Sequence, residues 1–247
     1  MCPDRHGHNP GVVTSEQETP TVLGADGCRH GAWMVVVETP SEGQTLLHLP
    51  TTRALFLEIR RIRPTAAVLD IPIGLPAREL RECDLEARRL LGRVAPSVFL
   101  TPPREVLRAG SQEEASSIWR QLTGRGCPAQ TYCILQRIRE VDEEMRARPR
   151  SRVFEGHPEL AFREMARGSL VPSKHTPAGR AVRTSLLSPL MPRLQDWLEL
   201  RPGLVEDVLD AGACWLVARR LVDGSARRVP EGLVPEDGVG LPMAIWY

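Results

Sequence analysis

From Thr21 onward the chain alternates short apolar runs with segments in which apolar residues recur every three or four positions. Val22 to Cys28 and Ala32 to Glu38 read as two buried strands joined by the turn Arg29-His30-Gly31, and Thr45 to Leu49 completes a meander. Leu55, Ile59 and Ile62 keep helical spacing, which predicts a helix over Thr51 to Arg61 that ends before Pro64. Ala66 to Ile71 is the next buried strand, and a helix leading into it makes it parallel to the first. Helices are predicted over Arg78 to Leu91, Glu113 to Leu122 and Cys133 to Arg148, so residues 79–148 read as a largely helical insertion. Ser151 to Glu155 returns to strand character and Pro158 to Ala166 to a helix. Residues 184–199 then form a helix broken by prolines, Leu204 to Leu221 a clear helix, and Gly240 to Tyr247 an edge strand. Residues 1 to about 20, with His6-x-His8 among them, lack this periodicity; they are expected to be a disordered leader to one domain over 21–247.

Composition narrows the class. Of 247 residues, 42% are hydrophobic, and 32 basic side chains face 31 acidic ones, which excludes a disordered chain and a basic surface over the whole molecule. The six cysteines contain no C-x-x-C pair, so reduced thiols are expected rather than a zinc site or disulfide framework. No run approaches the ~18 apolar residues of a membrane span, and the N-terminus lacks the apolar centre of a secretory signal. A cytoplasmic protein with no membrane partner is the expectation. Lys174 is the sole lysine among the 32 basic residues: either a place where a compact ammonium meets phosphate or substrate as a guanidinium does not, or equally a chance survivor of a bias toward arginine.

Acidic residues fall at the ends of the predicted elements. Asp26, Asp70 and Glu155 each close an apolar strand, and Asp207 and Asp210, three apart, share a face at the start of the late helix. Strand ends gather at one sheet edge, so the helix can bring its acids to Asp26 and Asp70. Two carboxylates 4 Å apart repel by about 4 kcal/mol at an effective dielectric near 20, which calls for a cation. All-oxygen ligation selects Mg²⁺ or Mn²⁺, and two such ions could flank a phosphodiester. Singly, each acid is as readily a turn or helix-capping residue. His157, in Glu155-Gly156-His157-Pro158-Glu159, suits metal ligation or proton transfer and equally a structural role. The run from Gln136 to Asp142 reads as a solvated helix face, with Arg137, Glu140 and Glu144 pairing along it.

Taken together and in order, several motifs carry a resemblance. They are Gly24-Ala25-Asp26-Gly27-Cys28 with Gly31-Ala32-Trp33, Asp70-Ile71-Pro72-Ile73-Gly74-Leu75-Pro76, Arg81-x-Cys83-Asp84-x-x-Ala87-Arg88 and Ser97-Val98-Phe99. Ile138-Arg139-Glu140-Val141-Asp142, Glu155-x-His157-Pro158-Glu159, Ser173-Lys174 and Asp207-x-x-Asp210-Ala211 complete the set. From about residue 22 to 247 the chain resembles a bacterial and archaeal family of unknown function described as predicted RNase H-like nucleases. The resemblance implies an α/β, RNase H-like fold: a mixed five-stranded sheet flanked by helices, with acids placed as in Holliday-junction resolvases. It implies Asp26, Asp70, Asp207 and Asp210 as ligands of Mg²⁺ or Mn²⁺, with Glu155 and His157 as further catalytic residues. Lys174 and Arg139 become the expected substrate contacts. Gln136 and Gly156 depart from the family pattern, which has a lysine and a β-branched residue there.

These expectations converge on a divalent-metal-dependent nuclease or phosphodiesterase acting on DNA or RNA. A small-molecule phosphotransferase of related fold is the second enzyme class, although no glycine-rich phosphate loop stands out. A non-catalytic binding protein that keeps the fold is the third. An arginine rim around the acids would favour nucleic acid, and its absence a small phosphorylated substrate.

Overall fold

The computed structural model describes residues 20–148 and 152–247; apart from Pro20, the expected leader lies outside them. Strands β1 (Val22–Gly27), β2 (Trp33–Thr39) and β3 (Gly43–Leu49) form the antiparallel meander, followed by helix α1 (Thr52–Ile62). Thr51 caps α1 by accepting from the Ala54 amide, and the backbone ends the helix by turning left-handed at Arg63. Strand β4 (Ala66–Leu69) and, after the insertion, β5 (Val153–Glu155) add in parallel on the other side of β1, giving the order β3-β2-β1-β4-β5. A mixed five-stranded sheet in this order is compatible with the RNase H-like superfamily.

Alternation along the strands sorts side chains to two faces. Leu23, Ala25, Trp33, Val35 and Val37 point into one core with α1 and two insertion helices, α3 (Gln112–Thr123) and α4 (Ala129–Ala147). Val22, Met34, Val36 and Val68 point into the other, covered by α5 (Pro158–Met165), α6 (Pro177–Leu187), α7 (Leu194–Leu200) and α8 (Val205–Asp223). Helix α2 (Glu82–Leu91) packs in a third, smaller core with the ribbon of β6 (Arg228–Val229) and β7 (Ile245–Trp246).

Four element expectations are corrected. The helix over 184–199 is two helices, because Thr176 caps a start at Pro177 and the chain between Leu187 and Leu194 carries Pro189 and Pro192. The long insertion helix starts at Ala129 directly after Pro128, four residues before Cys133. The helix expected from Arg78 begins at Glu82, because Arg81 is extended and its side chain is drawn into a buried ion network. The C-terminal strand does not extend the main sheet as an edge; it pairs with β6 and meets the sheet through one bridge from Trp246 to Gly156. The cysteines described are free, and no helix among the described residues is long and apolar enough to cross a membrane.

Helix α8 lies directly on β1. A Cβ on Gly24 would stand 1.9 Å from the Trp215 backbone nitrogen, so only glycine lets helix and strand backbones meet there. Gly24→Ala is expected to lower stability by about 3 kcal/mol or more, since both colliding groups are backbone in a packed core. Thermal denaturation checks this, and a variant melting with the wild type would contradict the close approach.

Candidate functional site

The contact between α8 and β1 assembles the site. Asp26 is the penultimate residue of β1, and Asp70 follows β4 immediately, its amide donating to the Ala25 carbonyl at 2.9 Å. Parallel register at Ala25 and Leu69 therefore sets the two aspartates side by side. Asp210 comes down from the second turn of α8. One carboxylate oxygen from each of Asp26, Asp70 and Asp210 lies within 4.8 Å of the others. Asp26 and Asp210 are buried, at 8% and 1% exposure.

Such crowding acts on the protons. Burial, then Asp210 and Asp70, raise Asp26 well above the usual carboxylate range. Burial likewise pushes Asp210 up to about 6, although Lys174 pulls the other way. Lys174 Nζ donates to Asp210 Oδ2 at 2.5 Å. Burial works against the ammonium, but Asp210 and Asp26 more than offset it and hold its pKa above the ordinary lysine value. The other carboxylate oxygen of Asp210, Oδ1, is buried and has no hydrogen-bond partner. Lys174, expected as a substrate contact, is thus first of all a partner of the acids.

Asp207 lines the same cleft but stands outside the trio; it is half-buried and its surroundings include Cys28. Burial raises Asp207, and burial followed by the charges of Asp207 and Asp26 pushes Cys28 up to about 12. His157, at the start of α5, also lines the cleft. Its Nε2 is 3.3 Å from the Ser97 carbonyl, which can only accept, so Nε2 carries a proton, while Nδ1 is buried without a partner.

Glu155 has a different setting. Its two oxygens accept from Arg81 at 2.7 Å each, and Oε2 also accepts from the Ile73 amide at 2.7 Å. Burial pushes the carboxyl up to about 7 against the pull of Arg81. Arg81 in turn donates to Asp84 and to the Ile73 and Gly74 carbonyls, and Asp84 accepts from the Thr101 amide. This buried network pins the loop after Asp70. A second tie holds the insertion over it: Arg104 bridges Asp142 of α4 to Asp237, which accepts from the Leu75 amide. Burial would raise Asp237, but donors from Leu241, Arg104, Val239 and Leu75 hold it below the usual range.

Arg139 is placed away from the cleft, donating to the Leu107 and Ala109 carbonyls at 2.6 and 3.1 Å. Arg137, read from the sequence as solvated helix surface, lines the cleft instead. Its guanidinium sits 5.2 Å from the Trp33 ring centroid and donates to the Cys28 carbonyl, while Nε, buried, has no partner. Gly27 makes room for it, because a Cβ there would lie 2.3 Å from Arg137 Nη1. A glycine directly after a site aspartate was the only hint of this in the sequence. Arg81 and Asp84 belong to one of the motifs that carry the resemblance, but the tie of Arg81 to Glu155, 74 residues away, has no local signal.

The cleft is about 590 Å³ and runs from the acids between residues 93–99 and α4. Its arginines are Arg81, Arg93 and Arg137, and Arg81 is fully engaged with Glu155 and Asp84. The rim is therefore thin.

A profile of one protein family, described as "Protein of unknown function (DUF429)", matches residues 24–233. The chain belongs to this family. The DUF429 match spans every element that supplies a site acid, from β1 to α8. No curated protein and no solved structure matches the chain. What this DUF429 protein does must therefore be argued from its own cleft.

Proposed function

We propose that the protein is a divalent-metal-dependent phosphodiester hydrolase, a nuclease of the RNase H-like kind, that uses Mg²⁺ or Mn²⁺. One observation carries the reading: three strand-end and helix-end aspartates converge, and one buried carboxylate oxygen, Asp210 Oδ1, is left without a donor. A buried polar atom without a partner costs about 1 to 3 kcal/mol, more when charged, and a bound ion would remove that cost. Three carboxylates less the Lys174 ammonium leave two negative charges, which matches one divalent ion. An all-oxygen donor set fits a hard cation rather than zinc.

Asp26, Asp70 and Asp210 would hold the ion, with Asp207 beside them. Bound there, it would act as a Lewis acid on a phosphoryl oxygen. Lys174 holds Asp210 by Oδ2 and leaves Oδ1 without a partner, so that Oδ1 would be available to hold the ion. Arg137 offers the cleft a fixed positive charge for the phosphate. His157, at the cleft wall, would take the proton of the attacking water as the water oxygen bonds to phosphorus and the ester P–O bond breaks. The leaving oxygen is protonated from solvent. Glu155, neutralised by Arg81, acts by positioning the Asp70 loop.

The test is a Mn²⁺ titration by electron paramagnetic resonance and calorimetry, paired with cleavage assays on DNA and RNA. About one ion per chain and activity abolished by chelation are expected. Failure to bind either Mn²⁺ or Mg²⁺ would overturn the reading and favour a binding protein that keeps the fold. A further expectation concerns stability: added Mn²⁺ should raise the melting temperature more near pH 7.5 than near pH 5, because protons compete for the same carboxylates. Equal shifts at both pH values would place the ion elsewhere.

A further inference from the structure

We infer that the cleft takes a single unpaired nucleotide unit, its phosphate at the aspartates and its base against the apolar wall of Val94, Pro96, Val98, Phe99 and Ile134. This rests on the phosphodiesterase reading and names its substrate class. The size of the cleft points to one unit. The buried Asp26 and Asp210 and the half-buried Asp70 line a cleft of about 590 Å³, within the ~300–1,000 Å³ of small-molecule sites. That volume suits one nucleotide whose base is free of a stack.

The second argument is the chemistry of the walls. Phe99 is partly exposed, lines the cleft and stacks on no ring or cation among the described residues. A free aromatic face beside apolar side chains suits a base of any sequence. The third is charge. Duplex binding draws on many phosphate contacts from basic surface, yet Arg93 and Arg137 are the basic groups at this cleft besides Arg81 and Lys174, both paired to buried acids, and two histidines. Two such cations serve one or two phosphates.

Binding would be measured with Ca²⁺ replacing Mg²⁺, and again in chelator, using a thymidine dinucleotide, a short linear oligothymidylate, its closed circle and a blunt duplex of equal length. The linear strand or the dinucleotide should bind at least about tenfold tighter than the duplex. A dinucleotide that matches the linear strand points to small free nucleotides as the source, a linear strand that alone binds points to strand ends, and a circle that binds as well points to internal unpaired segments. Phe99→Ala should weaken binding about tenfold or more, with Phe99→Trp restoring it, because stacking is what the ring supplies. Mn²⁺ binding should be unchanged in both variants. If Phe99→Ala does not fold, Ile134→Ser carries the same test. Duplex binding as tight as single-strand binding, or wild-type affinity in Phe99→Ala, would overturn the inference while leaving the metal reading intact. Nucleotide binding without any Mn²⁺ binding would do the reverse.

Discussion

Asp26→Asn is expected to abolish ion binding and hydrolysis while making the metal-free protein more stable at neutral pH. An aspartate in the unfolded chain titrates near 4. In the fold, burial with Asp210 and Asp70 raises Asp26, and burial raises Asp210 to about 6. Folding therefore favours the protonated forms. Their contribution is fully present below about pH 4 and is lost as pH rises through about 6 and beyond. Asparagine removes one of the mutually repelling charges but keeps the shape. At pH ~7 without metal the variant should gain about 1 to 3 kcal/mol, with each kcal/mol worth about 2 to 4 °C in a chain of this size. Its melting temperature should also fall less than that of the wild type between about pH 4 and pH 7. Differential scanning calorimetry with chelator reads all of this. A variant that melts below the wild type at neutral pH, or that still cleaves, would remove Asp26 from the site. Stability given up to hold like charges together is a common cost of a metal site.

Arg81→Met should have the opposite and larger effect on the fold. Arg81 is 1% exposed by side chain and carries Asp84, Glu155 and two backbone carbonyls at once. Burial opposes its charge, yet Asp84 and Glu155 hold its pKa well above the ordinary arginine value. Without it, two buried carboxylates must take up protons or stay unpaired. Breaking such a pair from one side typically costs about 3 to 5 kcal/mol, and here two partners are stranded. Because the same network holds the Ile73 amide and the Thr101 amide, Mn²⁺ affinity should weaken together with stability. Glu155→Gln should be milder, since an amide oxygen can still accept from Arg81 and Ile73. If Glu155→Gln lost activity with an unchanged melting temperature and unchanged Mn²⁺ affinity, Glu155 would belong with the reacting groups and not with the scaffold.

The acids were legible because their signal is local. An aspartate at the end of an apolar strand, as at Asp26 and Asp70, has its position set by strand period and sheet edge, and the three-residue spacing of Asp207 and Asp210 sets a shared helix face. That spacing does not say which of the two reaches the strand ends. The height of α8 over Gly24 decides it, and Asp210 is brought to Asp26 while Asp207 turns to Cys28. Charged residues were harder for the same reason. Arg137, Arg139 and Arg81 sit in similar charged helical sequence, and one lines the cleft, one ties down backbone carbonyls and one is the buried centre of an ion network. Each outcome rests on partners 30 or more residues away for the first two and on Glu155 for the third.

The sequence by itself therefore determined the strand meander, the parallel return, the helical insertion and the element ends at which acids would be presented, all of which follow from periodicity and chain direction. Tertiary structure alone decided which three carboxylates meet, that Lys174 pairs with one of them, that Glu155 is tied to Arg81, and which residues line the cleft. Those depend on the distance between elements remote in sequence. Residues such as Gly24 and Gly27 set that distance by what they leave out, and an absent side chain shows its purpose only beside the neighbour that fills the space.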